Sequence, residues 1–358
     1  MSDVRDMFTM PVVEELGEKL CGVFADFPKE QFIKTVFDDM WGGRGLFARL
    51  SHMAKTLGEM LPGDYKATIK ILCSLVPACS GPQAMIFPQY IVENGMEDCE
   101  DSAEAMACIT QYSSCEFAVR PFIDRYPIEM FGILKEWTQS NNEHVRRLVS
   151  EGTRLNIPWG SRLQTVNKKH DYAIPLLEAL KDDPSEYVRK SVANNLNELS
   201  KVEPELVVGI GREWLSSGSK NTEKIIKHAC RTLLKKGYPP AMELFELKKP
   251  DGISVKRIWC TATVRKNQDL SFSFDVINES SEGIKIRLGY AIGYLKSNGK
   301  VNFKEYRLSE RVCTPGTITV ERRHQIAETS TRKIYPGRHV LKITINGCTL
   351  AETEFDVQ

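Results

Sequence analysis

Two glutamates, two arginines and a tryptophan are the residues best placed for chemistry: Glu116, Glu151, Arg147, Arg154 and Trp159. Glu116 sits within SSCEFAVRPF at 113–122, and the other four fall in NEHVRRLVSEGTRLNIPWG at 142–160. Arg147 and Glu151 are four residues apart and share one face of a helix. Arg154, three residues further on, reaches the same face if the helix continues. A carboxylate at an inward-leaning position is costly unless it has a partner or a task at a reacting centre. Glu151 therefore reads either as one half of a structural ion pair with Arg147 or Arg154, or as a working carboxylate. Glu116, expected on an apolar helix, reads as a capping or buried hydrogen-bonding group or as a second working carboxylate. Trp159 follows Pro158 and is either a loop aromatic closing the core or a surface for stacking.

Several other chemistries drop out. The chain has no Gly-rich phosphate loop, no HExxH and no G-x-S-x-G elbow. Its ten cysteines include no Cys-x-x-Cys pair and are expected to be reduced thiols rather than disulfides or zinc ligands. The six histidines lack paired ligand spacing and are read as surface or capping residues. No metal site and no cofactor are expected. No apolar run approaches the roughly 18 residues of a membrane span, and the first residues lack the features of a secretion signal, so the expected location is the cytosol.

The elements that must position these residues are of two kinds. From residue 12 to about 247, apolar residues recur at helical spacing in segments broken by Pro, Gly, Asn or Asp, with helices expected over Leu46–Leu61, Tyr65–Val76 and Cys99–Tyr112. NEHVRRLVSE at 142–151 aligns with SEYVRKSVAN at 185–194, and more weakly with KIIKHACRTL at 224–233. Repeats at offsets of roughly 40 residues mark a HEAT-like or armadillo-like helical array. Val188 and Val192 should face the core, while Arg189 lies at the margin between core and groove. After Pro250-Asp251-Gly252 the pattern changes to short alternating runs, with Phe272, Phe274 and Val276 on one side of a strand. Asn298-Gly299 and Asn346-Gly347 are hairpin signals. About seven strands suggest an immunoglobulin-like sandwich. The expected fold is mainly α with a separate β domain: a HEAT-like helical repeat solenoid at 1–248 and an immunoglobulin-like β-sandwich at 249–358.

A net charge of +1 conceals a division along the chain. Residues 1–140 carry net −9, whereas 141–250 and 251–358 carry +5 each. Clusters such as Arg146-Arg147, Lys168-Lys169, Arg189-Lys190, Lys235-Lys236 and Arg322-Arg323 form either a phosphate-binding strip or a scatter of solvated charges.

Over roughly residues 40–248 the sequence resembles the AlkC-type DNA glycosylases of the HEAT-like alkylation-repair family, related more distantly to the AlkD type. The resemblance runs through HMAKTL at 52–57, FAVRPF at 117–122, NEHVRRL at 142–148, SEGTR at 150–154, Pro158-Trp159, DDPSEYVRKSVANNLN at 182–197 and KHACRTLLKKG at 227–237. Between Arg154 and Pro158, where the family leads one to expect a Pro-rich or basic segment, this chain has Leu155-Asn156-Ile157.

The resemblance implies a monofunctional glycosylase that hydrolyses the N-glycosidic bond of 3-methyladenine and 3-methylcytosine in duplex DNA, without metal or cofactor. It also implies that Glu116 and Glu151 are the catalytic carboxylates and that Arg147, Arg154 and Trp159 hold substrate. Arg189, Lys227, Arg231, Lys235 and Lys236 are further DNA-binding candidates. The implied protein is a monomer whose partner is double-stranded DNA carrying alkylated bases, acting at the nucleoid within the bacterial cytosol and away from membranes. The competing readings are a non-catalytic HEAT-repeat scaffold and a protein that binds alkylation damage without repairing it.

Overall fold

The computed structural model describes residues 4–329 and 332–358. The chain divides into two compact units: one runs through Leu199 and takes in Ser219–Ile225, and the other comprises Ser200–Gly218 and Ile226–Gln358. The first unit is helical. Its helices include Leu46–Met60, Tyr65–Leu75, Ile86–Asn94, Cys99–Ile109, Val119–Arg125, Pro127–Trp137, Glu143–Gly152 and Glu186–Leu199.

Local chemistry sets the helix boundaries. Asp64 accepts from the backbone N–H of Ala67 at 3.1 Å, and Asn142 accepts from that of His144 at 2.9 Å, so each satisfies a donor the first turn leaves open. Proline occupies the first position of the Pro127–Trp137 helix, where no N–H is needed. Leu50, Met53, Ala54 and Leu57 follow at i, i+3, i+4, i+7 and are buried, as an amphipathic core-facing helix requires.

The repeat at 142 and 185 is structural. Val145, Val149, Val188 and Val192 are all buried. The Glu143–Gly152 and Glu186–Leu199 helices are joined through the core by Asn195, whose amide donates to Ser150 O at 2.8 Å and Thr153 Oγ1 at 3.2 Å. The weaker third copy differs: it straddles a break, because the Lys220–Ala229 helix ends before Cys230 and a new helix begins at Arg231. A second correction concerns Glu116. The Cys99–Ile109 helix stops short of Tyr112, and Glu116 lies in the turns leading into the Val119–Arg125 helix rather than on a helix.

The second unit contains the Pro204–Ser216, Arg231–Lys235 and Pro239–Leu244 helices and a β-sandwich. Its strands are β1 (Ile253–Cys260), β2 (Thr263–Val264), β3 (Asp269–Asn278), β4 (Ile284–Leu295), β5 (Val301–Cys313), β6 (Gly316–Gln325), β7 (Gly337–Ile345) and β8 (Cys348–Val357). One sheet has the order β1-β3-β6 and the other β2-β8-β7-β4-β5. Seven strands match the number expected, and the additional one, β2, is two residues long and pairs parallel with β8.

Phe272, Phe274 and Val276 pack inward against Ile286, Leu288, Ile292, Leu341 and Ile343. Asp275 faces the other way, as alternation demands. It is nonetheless buried, accepting from Thr319 Oγ1 at 2.8 Å and paired with Arg257. Asn346 and Gly347 both have positive φ, 47° and 78°, which a two-residue hairpin of primed type needs.

All ten cysteines are free, so the sandwich has no inter-sheet disulfide. Two histidines depart from the surface-or-capping expectation. His339 is fully buried, and His324 bonds the hydroxyls of Tyr290 and Tyr294 at 2.8 and 2.9 Å, where burial pushes its pKa down to about 4. Among the described residues, no helix is long and apolar enough to cross a membrane.

Candidate active site

The Glu143–Gly152 helix brings Arg147 and Glu151 to one face, and the turn beyond it carries Arg154 back toward that face. Arg154 Nη1 lies 2.8 Å from Glu151 Oε2, while Arg147 Nη2 is 3.9 Å from Glu151 Oε1. Glu151 is buried. Arg147 also reaches across to the 113–118 turns, donating to Ser114 Oγ at 2.8 Å and to Glu116 Oε2 at 2.8 Å. Ser114 Oγ in turn donates to Glu116 Oε2 at 2.9 Å.

Both carboxylates are thus tied through one guanidinium, and a segment far away in sequence completes the cluster. Tyr187, from the second repeat, closes one side with its ring 5.1 Å below the Arg147 guanidinium, and burial raises its pKa. A third carboxylate borders the group: Glu198 Oε1 is 3.9 Å from Arg154 Nη2.

The loop after this helix is held by a residue that sequence reasoning passed over. Arg120 is 2% exposed and donates to four backbone carbonyls: Gly152 (3.2 Å), Arg154 (2.6 Å), Leu155 (3.2 Å) and Ser161 (2.7 Å). Three of these acceptors lie at or just beyond the C-terminal end of the Glu143–Gly152 helix, where the chain has carbonyls to spare and the dipole favours a cation. Burial lowers the Arg120 pKa to about 10, which leaves it charged at neutral pH. The only sequence signal was a charged residue inside the apolar run FAVRPF.

Leu155 and Ile157, which stand where a basic or Pro-rich segment was expected, are buried and anchor the loop from below. With its base fixed in this way, the loop presents Trp159 at 75% exposure and with φ of 65°. A non-glycine residue in that left-handed region costs about 1–3 kcal/mol and persists only where its surroundings over-determine it. Trp159 therefore does not close the core.

Beside the cluster is an open cavity of about 410 Å³ between the Leu46–Met60 and Ile86–Asn94 helices, the 113–118 turns and the Trp159 loop. Ser114, Phe117, Arg120 and Trp159 belong to its wall.

The remaining candidates are not gathered here. Arg189 turns back on its own helix start, donating to Asp183 O at 2.5 Å and Pro184 O at 2.9 Å. Lys227, Arg231, Lys235 and Lys236 belong to the second compact unit. There Lys227 pairs with Glu310, Arg231 contacts His228, and Lys235 and Lys236 oppose the upward pull of burial on the Glu305 pKa.

Residues 255–358 match the family model described as the C-terminal Ig-like domain of the uncharacterised protein YhaZ. Over 359 residues, spanning all of both chains, the sequence is 34% identical to the uncharacterised protein YhaZ of Bacillus subtilis strain 168. The fold superposes on the alkylpurine DNA glycosylase AlkC of Pseudomonas fluorescens, solved bound to DNA containing an abasic site analogue. The TM-score is 0.95 with 30% identity, and all of both chains is covered. On full-length identity and full-length structural likeness together, the chain belongs to the AlkC family of DNA glycosylases.

Proposed function

We propose that this enzyme removes cationic alkylated bases, 3-methyladenine and 3-methylcytosine, from duplex DNA by hydrolysing the N-glycosidic bond and leaving an abasic site. The observation that carries the reading is the linked cluster of Glu116, Arg147, Glu151 and Arg154 beside an exposed, backbone-strained Trp159.

A base alkylated on its ring already carries positive charge and leaves readily, so little acid catalysis is required. The sugar becomes oxocarbenium-like as the bond lengthens, and a fixed carboxylate stabilises that charge. Glu151, buried and oriented by Arg154, is suited to stabilising the sugar and positioning water. Glu116, oriented by Ser114 and Arg147, supplies a second negative charge. Phosphates flanking the lesion would engage Arg147 and Arg154, with Trp159 stacking on the lesion or its backbone.

The catalytic part is residues 1–248, and residues 249–358 serve as an accessory that adds DNA contacts. Lys227, Arg231, Lys235, Lys236 and Arg189 are proposed as outlying phosphate contacts, the protein acting as a monomer in the bacterial cytosol. No catalytic lysine is called on, so strand cleavage is not part of the reaction.

The test is chromatography of bases released from alkylated duplex DNA by the pure protein, with Glu151→Gln and a chelated sample alongside. Release of 3-methyladenine and 3-methylcytosine that survives chelation and falls in the variant supports the reading. No release from folded, DNA-binding protein overturns it in favour of damage binding, and no release without DNA binding leaves a scaffold.

A further inference from the structure

We propose that the cavity beside the carboxylate cluster is a holding site for the released base, taking a neutral, planar alkylated purine. The inference rests on the glycosylase reading.

The cavity's volume of about 410 Å³ falls within the ~300–1,000 Å³ of small-molecule pockets. Phe47, Met85, Val92, Phe117 and Trp159 supply apolar and aromatic wall, with the Phe47 and Phe117 ring centroids 5.9 Å apart and tilted by 63°. Phe47 is 42% exposed. A large, partly exposed aromatic beside a second one offers a surface for stacking. Among the described residues, the lining contains no carboxylate, and its charged member is Arg120. Ser114 links the two places: its side chain bonds Glu116 and Arg147, and it also borders the cavity.

The reaction itself changes which of the two places the base prefers. In DNA the alkylated base is a cation and is drawn to Glu116 and Glu151. When the C1′–N bond breaks, its electron pair goes to the base nitrogen, water adds to C1′ and a proton leaves to solvent. The base thereby becomes neutral and gains a lone pair. It loses its attraction to the carboxylates, and desolvation no longer opposes its entry to an apolar space. The positive charge of Arg120 in the wall disfavours the cationic form of the base. Movement into the cavity would separate the base from the abasic sugar.

The full-length protein is titrated with free 3-methyladenine and, separately, with 3,9-dimethyladeninium, in which a methyl on the former glycosidic nitrogen preserves the cation. Binding is read by equilibrium dialysis. The neutral base is expected to bind at least about tenfold more tightly than the cation. Phe47→Ala should weaken the neutral base by about tenfold while leaving the first-turnover excision rate within about twofold and relieving inhibition by added 3-methyladenine. A neutral base that does not bind, a cation that binds as tightly, or a folded Phe47→Ala protein with undiminished affinity overturns the proposal. Excision by the same wild-type sample is measured in parallel. Excision without base binding sinks the holding site alone, whereas absence of excision sinks the glycosylase reading.

Discussion

The two clear helical repeats share a core and differ in their work. At the aligned positions Val145 and Val188, and Val149 and Val192, are buried alike. Even their aligned arginines do similar jobs: Arg146 pairs with the buried Asp183 at 2.6 Å, and Arg189 donates to the carbonyl of the same residue. Both stabilise the turn that starts the second repeat's helix. The next position separates the copies. Arg147 is replaced by the exposed Lys190, Glu151 by Asn194 and Arg154 by Asn197. The positions that repeat maintain the array, and those that break the repeat build the charged cluster. The paired arginines 146 and 147, adjacent in sequence, point about 100° apart on the helix and so serve different ends.

The largest departure between the copies is expected at Glu151. Glu151→Gln should keep the fold and lower single-turnover excision by roughly 10²–10³-fold, as loss of one fixed electrostatic group at a reacting centre does. A variant that excises within a few fold of wild type would dissolve the functional distinction between the repeats. Asp183→Ala addresses the shared part. It leaves the largely buried Arg146 guanidinium without its carboxylate and removes the cap on Ser185 N, so denaturant unfolding should show a loss of about 3 kcal/mol. An unchanged midpoint would mean that the turn is not what the two arginines support.

A smaller change is expected from Arg147→Lys, which gives the first copy the second copy's residue. Lysine keeps the charge but not the planar fork that reaches Ser114 and Glu116 together. Excision measured in single turnover should fall by about tenfold with stability nearly intact. The reciprocal change, Lys190→Arg, lies on an exposed face. It should alter stability by less than about 0.5 kcal/mol and leave excision untouched. A clear effect there would show that the second repeat takes part in the site beyond Tyr187 and Glu198.

Much of this was legible in the residues themselves. Apolar spacing located the helices because burial of one face is a local, periodic demand. Asn346-Gly347 located a hairpin because few residues tolerate two successive positive φ values. The spacing offered Arg147 or Arg154 as the partner of Glu151; both approach it, although the helix ends at Gly152 and Arg154 reaches it from the turn beyond. The environment of Glu116 did not follow from spacing, because its partner Arg147 is 31 residues away and the segment between them folds as separate helices. Arg189 was expected at a groove margin, yet its guanidinium closes on its own helix start, an alternative that helical angle alone does not distinguish. Arg120 went unnoticed for the same reason: its acceptors are backbone carbonyls, which every residue has and no motif records.

The sequence alone therefore determined what depends on neighbours a few residues apart: two architectures, the repeat, the sandwich strands and the nearness of Arg147 and Arg154 to Glu151. Tertiary structure decided what depends on distant segments meeting. It joined Glu116 to Arg147, set Tyr187 beneath the guanidinium, and drew four carbonyls onto Arg120 so that a strained Trp159 stands in solvent beside an aromatic cavity. The physical reason is that a buried charge is fixed by whichever polar groups the folded chain brings within about 3 Å, and this set exists only once the helices have packed.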